Sequence, residues 1–167
     1  LPRYIKNDSI LGVFYGHTLT TLTRQLPKLK RKGVSVIQLA GGFSRAVYES
    51  NALSILSSFA ECVGGTAYQI PAPAMVEKPF IVDALKQDSQ IAHVLSMAEV
   101  CDTAIFSVGN LERPSVLYEM GMITSEEYED MIYRGAIGDC CSHFLNRDGR
   151  VFDQEMDNRV VGASLDT

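Results

Sequence analysis

The chain has 167 residues, of which 46% are hydrophobic and 21% charged, and its net charge is −5. That length and apolar content suffice for the core of one domain, and with six scattered prolines and no low-complexity tract they exclude extended disorder away from the termini. The acidic balance excludes this chain as a surface that coats nucleic acid, which needs a basic stripe to displace phosphate counterions.

Residues 10–15, ILGVFY, are continuously apolar, as in a parallel strand covered on both faces. Leu19, Leu22, Leu26 and Leu29 follow at spacings of three, four and three, predicting a first helix from Thr18 until Pro27 or Leu29 interrupts it. A second apolar run, VSVIQLA at 34–40, ends on Gly41 and Gly42. In the stretch 48–65 the residues Ala52, Ile55, Leu56, Phe59 and Ala60 share one helical face, and Gly64 and Gly65 offer a left-handed stop. A strand TAYQI then enters PAPA, where Pro71 and Pro73 forbid helix and favour an extended edge or loop. Two short helices, divided near Asp88, precede another strand, TAIFSVG at 103–109.

Thr124 and Glu127 form a capping box ahead of a helix closed by Gly135. The stretch 136–152, AIGDCCSHFLNRDGRVF, reads as two strands joined by a turn around Asp148 and Gly149, and RVVGASL at 159–165 as a last strand. Strands alternating with helices, with glycine at the strands' C-terminal ends, point to an α/β sheet layered between helices. The chain begins almost on a core strand and stops just after another, so we expect it to be part of a longer polypeptide.

Cys62, Cys101, Cys140 and Cys141 show no secreted disulfide spacing, and reduced thiols in a cytoplasm suit them better. The N-terminus lacks the apolar stretch of a signal peptide, and no apolar run approaches the roughly 20 residues that span a bilayer. No membrane partner is expected. CCSH at 140–143 invites a metal reading, but strand alternation sends Cys140 to the opposite face from Cys141 and His143, so buried thiols packing as small hydrophobes account for it better.

In open α/β sheets ligands settle beyond the carboxyl ends of the strands, where helix N-termini present free amides to anions. Gly16, His17 and Thr18 occupy such a place, and Thr18, Thr20 and Thr21 can add hydroxyl donors. The stretch lacks the terminal Lys-Ser/Thr of a P-loop, and Gly12 and Gly16 lack the spacing of the dinucleotide fingerprint. A bare strand-to-helix turn capped by Thr18 would look the same.

Four stretches in order, GVFYGHTL, VIQLAGGFS with ESNA, YQIPAPAMVE, and GAIGDCCSHFLNRDGR with NRVVGASL, resemble the effector-binding domain of SorC-type bacterial transcription regulators. The resemblance covers nearly the whole chain and makes residues 1–167 one effector-binding domain, incomplete at both ends. It implies a Rossmann-like three-layer α/β sandwich with a mainly parallel sheet, similar to ribose-5-phosphate isomerase and glucosamine-6-phosphate deaminase, used for sensing rather than turnover. No cofactor or metal is expected, and the partners it implies are a phosphorylated sugar effector and DNA, the latter through a separate domain absent here. Assembly as a homodimer or homotetramer is also implied.

Carried over by position, the phosphate loop falls on Gly16, His17 and Thr18, and the second glycine junction on Gly41 and Gly42, with Glu49 and Asn51 beyond it. The acidic residue that holds sugar hydroxyls falls on Asp139. Ala40 stands where some bisphosphate-binding members have arginine, and the family's phosphate-binding lysine belongs to a later segment. Two alternatives of other classes remain: an isomerase- or deaminase-like enzyme using Asp139, Glu49 or His17, and a pure assembly domain with a filled crevice.

Overall fold

The computed structural model describes residues 1–42, 52–111, 118, 121 and 123–165. Four strands form a parallel sheet: β1 (Ile10–Val13), β2 (Ser35–Gln38), β3 (Thr66–Tyr68) and β4 (Thr103–Ile105), in the order β3-β2-β1-β4. Leu11, Val13, Val36 and Ile37 are all but inaccessible to solvent, as strands covered on both faces require. The order reverses at β1: α1 (His17–Thr23) and α2 (Ala52–Val63) carry the chain outward to β3, and α3 (Pro79–Leu85) and α4 (Ser89–Glu99) carry it back to the far side of β1. Because such crossovers are right-handed, the two pairs of helices cover opposite faces, which gives the layered Rossmann-like arrangement.

The helices follow their signals. In α2, Ile55, Leu56, Phe59 and Ala60 are buried, and Gly64 ends the helix at φ 72°. Asp88 caps α4, its carboxylate accepting from the Gln90 and Ile91 amides at 2.9 and 3.1 Å. The first helix is shorter than its leucine spacing predicts and stops at Thr23. Four threonines in seven residues lower its propensity, and three of their hydroxyls bond back to carbonyls of the same segment, Thr20 to Gly16, Thr21 to His17 and Thr23 to Thr20. Leu26 and Leu29 still pack on the core, from a loop rather than a helix.

A second, antiparallel sheet holds β5 (Val108–Asn110), β6 (Ala136–Cys140) and β7 (His143–Asn146), in that order. The strand expected over 103–109 is therefore two strands in two sheets. Beyond Ile105 the neighbouring chain turns off at Gly16 and leaves no parallel ladder to follow, so Val108–Asn110 pairs with Gly138–Cys140 instead. Likewise, β6 and β7 join at Cys141–Ser142, while Asp148–Gly149 belongs to a second turn that brings Val151 back beside Leu145. Against this sheet packs α5 (Ser125–Arg134), closing a small core of Leu111, Ile123, Tyr128, Met131, Ala136 and Phe144. Its capping box is complete, with Thr124 Oγ1 accepting from the Glu127 amide and the Glu127 carboxylate from the Thr124 amide.

The segment expected as a last strand makes only isolated bridges, Val160 with Met75 and Gly162 with Ala40, because its partners are the irregular proline loop and the exit of β2. Before it stands a short helix that periodicity does not announce, α6 (Gln154–Asp157), capped by Asp153. Among the described residues no helix is long and apolar enough to cross a membrane.

Candidate functional site

The reversal of strand order at β1 makes the carboxyl ends of β1 and β4 a topological switch point, where adjoining chain segments diverge and open a crevice. On one side β1 runs on through Phe14, whose amide still donates to the Ile105 carbonyl at 2.9 Å, to Tyr15 and then Gly16. Gly16 has φ 131° and ψ 169°, a conformation open to glycine but strained for other residues, and a Cβ there would lie 3.5 Å from Ser107 Oγ on the β4 side. No side chain caps α1 from this position, and His17 and Thr18 are exposed. Thr20 and Thr21 direct their hydroxyl protons to carbonyls of their own helix, so Thr18 is the hydroxyl of this turn left to serve a ligand.

Asp139 projects into the other wall. It lies on β6 opposite Gly109 of β5, where a Cβ would come within 2.0 Å of its Oδ1, so only glycine leaves room for the carboxylate. Its side chain is buried, and burial raises its pKa to about 6, against the opposing pull of the Ser142 amide, which donates to it, and of the His143 charge. The Cys141–Ser142 turn has φ of 52° and 72° without a glycine, a costly geometry that suits a two-residue hairpin loop. Ser142 holds it from two directions: its amide reaches Asp139, and its hydroxyl lies 3.4 Å from the buried Tyr15 hydroxyl. Tyr15 and Ser142 thus tie the Asp139 wall to the β1 exit.

The second glycine junction follows the exit of β2. Gly41 donates its amide to the Val161 carbonyl at 2.8 Å and Gly42 to the Ala72 carbonyl at 2.9 Å, so both N–H groups serve the backbone. A Cβ at Gly42 would meet open space, whereas one at Gly41 would collide with the Ala72 carbonyl at 2.4 Å. From Leu39 the connection continues: its carbonyl accepts from the Ala163 amide, and the Ala163 carbonyl accepts from His143 Nε2 at 2.9 Å. Glu49 and Asn51 lie outside the described residues.

Tyr15, Ser107, Ser142 and His143 stand near the candidate residues and were not singled out for a ligand by sequence reasoning. Tyr15 was absorbed into an apolar strand, and Ser142 and His143 into an assumed alternation that the 141–142 turn interrupts. All four cysteines are free thiols, and among the described residues no three His, Cys, Asp or Glu side chains are grouped to hold a metal ion.

A family profile described as "Putative sugar-binding domain" matches residues 1–167. The chain belongs to this family of sugar-binding domains. Among curated relatives, the deoxyribonucleoside regulator of Bacillus subtilis (strain 168) is 26% identical over 161 residues, 96% of this chain and 51% of its own. The sorbitol operon regulator of Klebsiella pneumoniae is 22% identical over 169 residues, 99% of this chain and 53% of its own. Among solved structures, a DeoR family transcriptional regulator from Listeria monocytogenes superposes with a TM-score of 0.86 at 27% identity, over 99% of this chain and 64% of that one. The full-length sorbitol operon regulator SorC from Klebsiella pneumoniae superposes at 0.88 with 21% identity, over 99% of this chain and 54% of that one, a likeness of fold. The chain spans about half the length of the curated relatives it matches. Those relatives are transcription regulators.

Proposed function

We propose that this domain binds a phosphorylated sugar as the effector of a transcription regulator. The observation that carries the reading is the buried Asp139 carboxylate, held beside the Gly16 turn at the switch point of the parallel sheet. In this reading the phosphate lies at Gly16, His17 and Thr18, where the backbone is open and the hydroxyl of Thr18 faces solvent. Asp139 accepts sugar hydroxyls, and an ionised carboxylate that fixes several donors in direction discriminates among epimers. Gly41 and Gly42 give the sugar a close backbone approach, with Glu49 and Asn51 beyond them.

DNA is contacted through another domain of the native polypeptide, which works in the cytoplasm as a homodimer or homotetramer. The effector acts by preferring one arrangement of that assembly over another, since a ligand shifts an equilibrium only by its differential affinity for the two states. The test is thermal unfolding of the native polypeptide against pentose and hexose phosphates and the same sugars without phosphate. Stabilisation by a phosphorylated sugar, none by its free counterpart and no product formed is the expected result. Equal stabilisation by both forms removes the phosphate from the reading, and turnover replaces the sensor with an enzyme.

A further inference from the structure

Ser107 stands where the two sheets part. The parallel ladder ends with the Phe14 amide donating to the Ile105 carbonyl, and β5 begins at Val108, so residues 106 and 107 belong to neither sheet. The Ser107 hydroxyl oxygen lies 3.5 Å from the place that a Cβ would take on Gly16, across the opening between the β1 and β4 exits. Ser107 is half-buried, and among the described residues its hydroxyl has no hydrogen-bonding partner. Thr20 and Thr21, on the opposite side of that opening, direct theirs to carbonyls of their own helix.

The same residue leads to Asp139. Ser107 precedes Gly109 by two positions, and in extended chain that separation, roughly 7 Å, brings both positions to one face. Gly109 pairs with Asp139, and a Cβ on Gly109 would overlap the Asp139 carboxylate. Ser107 and Asp139 therefore share one side of β5, and Gly16 approaches Ser107 from the β1 exit. An unclaimed hydroxyl donor and a carboxylate acceptor thus stand in line along β5. A ligand that answers both carries acceptors at one end and donors at the other. A sugar phosphate has that form, because phosphate oxygens are strong acceptors and sugar hydroxyls donate.

We propose that Ser107 is a specificity-determining residue of the crevice, its hydroxyl donating to a phosphate oxygen of the effector from the β4 side while Gly16 and Thr18 meet the same group from the β1 side. The proposal rests on the sugar-phosphate function proposed above. It adds a second wall to the phosphate site and places that wall in line with the carboxylate that accepts the sugar hydroxyls.

The experiment is calorimetric titration of the native full-length polypeptide and two variants with ribose 5-phosphate, glucose 6-phosphate and inorganic phosphate, beside thermal unfolding without ligand. Ser107→Ala should bind a sugar phosphate about tenfold or more weakly than the wild type, the loss expected for one hydrogen bond to a charged group. Without ligand it should unfold within about 2 °C of the wild type, because the hydroxyl holds nothing in the protein. Ser107→Asp should abolish binding, since a carboxylate facing Gly16 repels the phosphate. Wild-type affinity in either variant overturns the proposal and leaves the sugar-phosphate reading in place. A Ser107→Ala protein that melts well below the wild type overturns it too, because the hydroxyl would then serve the fold. Should Ser107→Asp not fold, Ser107→Ala decides alone. If the wild type binds none of the three ligands, the sugar-phosphate reading itself falls and the role of Ser107 falls with it.

Discussion

Replacing Asp139 with Asn should stabilise the protein, and by an amount that depends on pH in a way no uncharged contact can imitate. Burial raises the Asp139 pKa from an ordinary 3.8 to about 6, so the folded state holds its proton where the unfolded chain has released it. Stability contributed by such a group is fully present below pH 3.8 and is lost as pH rises through about 6. The shift is roughly two units, and at about 1.4 kcal/mol per unit the ionised carboxylate costs about 3 kcal/mol at pH 7 and above. Asn keeps an oxygen for the Ser142 amide and places its NH2 where the second carboxylate oxygen was, a constant term of about 1–2 kcal/mol that does not vary with pH. The diagnostic is therefore the change in the mutant-minus-wild-type difference between pH 4 and pH 7.5. It should grow in favour of Asn by about 3 kcal/mol, or about 6–12 °C in Tm for a domain of this size. Thermal unfolding of both proteins across that range reads it directly, with far-UV circular dichroism as the probe. Parallel stability curves would refute the reasoning, since they would mean that Asp139 is not penalised by its surroundings. The same variant should lose its ranking of sugar epimers, as a neutral amide no longer offers two acceptor oxygens.

Thr18→Val should abolish most protection by a sugar phosphate while changing unliganded stability by no more than about 0.5 kcal/mol, because the side chain is exposed; melting with and without the ligand separates the two effects. Gly109→Ala should destabilise the protein by about 1–3 kcal/mol, since its new methyl would overlap Asp139 Oδ1. Combining it with Asp139→Ala should recover part of that loss in a double-mutant cycle, and strict additivity would show that the two positions do not touch. Thr124→Ala removes the acceptor for the Glu127 amide and should cost about 1 kcal/mol of stability in chemical unfolding.

The parallel half of the fold was legible because its signals are local. Runs such as ILGVFY and VSVIQLA need only be apolar, and Asp88 marks a helix end by hydrogen bonds within a few residues of itself, as Thr124 and Gly135 do for the helix of the other half. The strands of the antiparallel half were not legible, and the reason is physical. TAIFSVG is a single apolar run, yet where it breaks depends on how far β1 extends beside it, a fact stored nearly a hundred residues earlier at Gly16. The Cys141–Ser142 turn was hidden for a different reason. Asn-Gly or Asp-Gly ordinarily announces a two-residue hairpin, whereas here two non-glycine residues are held at positive φ by contacts from Asp139 and Tyr15.

That concealed turn also shapes the candidate site around Asp139. Reading 139–143 as an uninterrupted strand puts Asp139, Cys141 and His143 on one face with nothing to specify their roles. Inserting the turn instead gives Asp139 the Ser142 amide and lets His143 reach Asp157 and Ala163 from the other side of the hairpin. The chemistry that sequence could name at Asp139 thus depends on a bend that local preference argues against. Strain at 141–142 is tolerated because the bonds converging there hold it, which is the pattern expected where backbone geometry serves binding rather than stability. Removing those bonds one at a time should therefore loosen the carboxylate before it unfolds the domain. Tyr15→Phe, which removes the hydroxyl that lies 3.4 Å from Ser142, should raise amide exchange in the 140–143 hairpin while leaving exchange in β1 and β2 unchanged. Uniform acceleration across both sheets would mean that the hairpin has no independent strain to release.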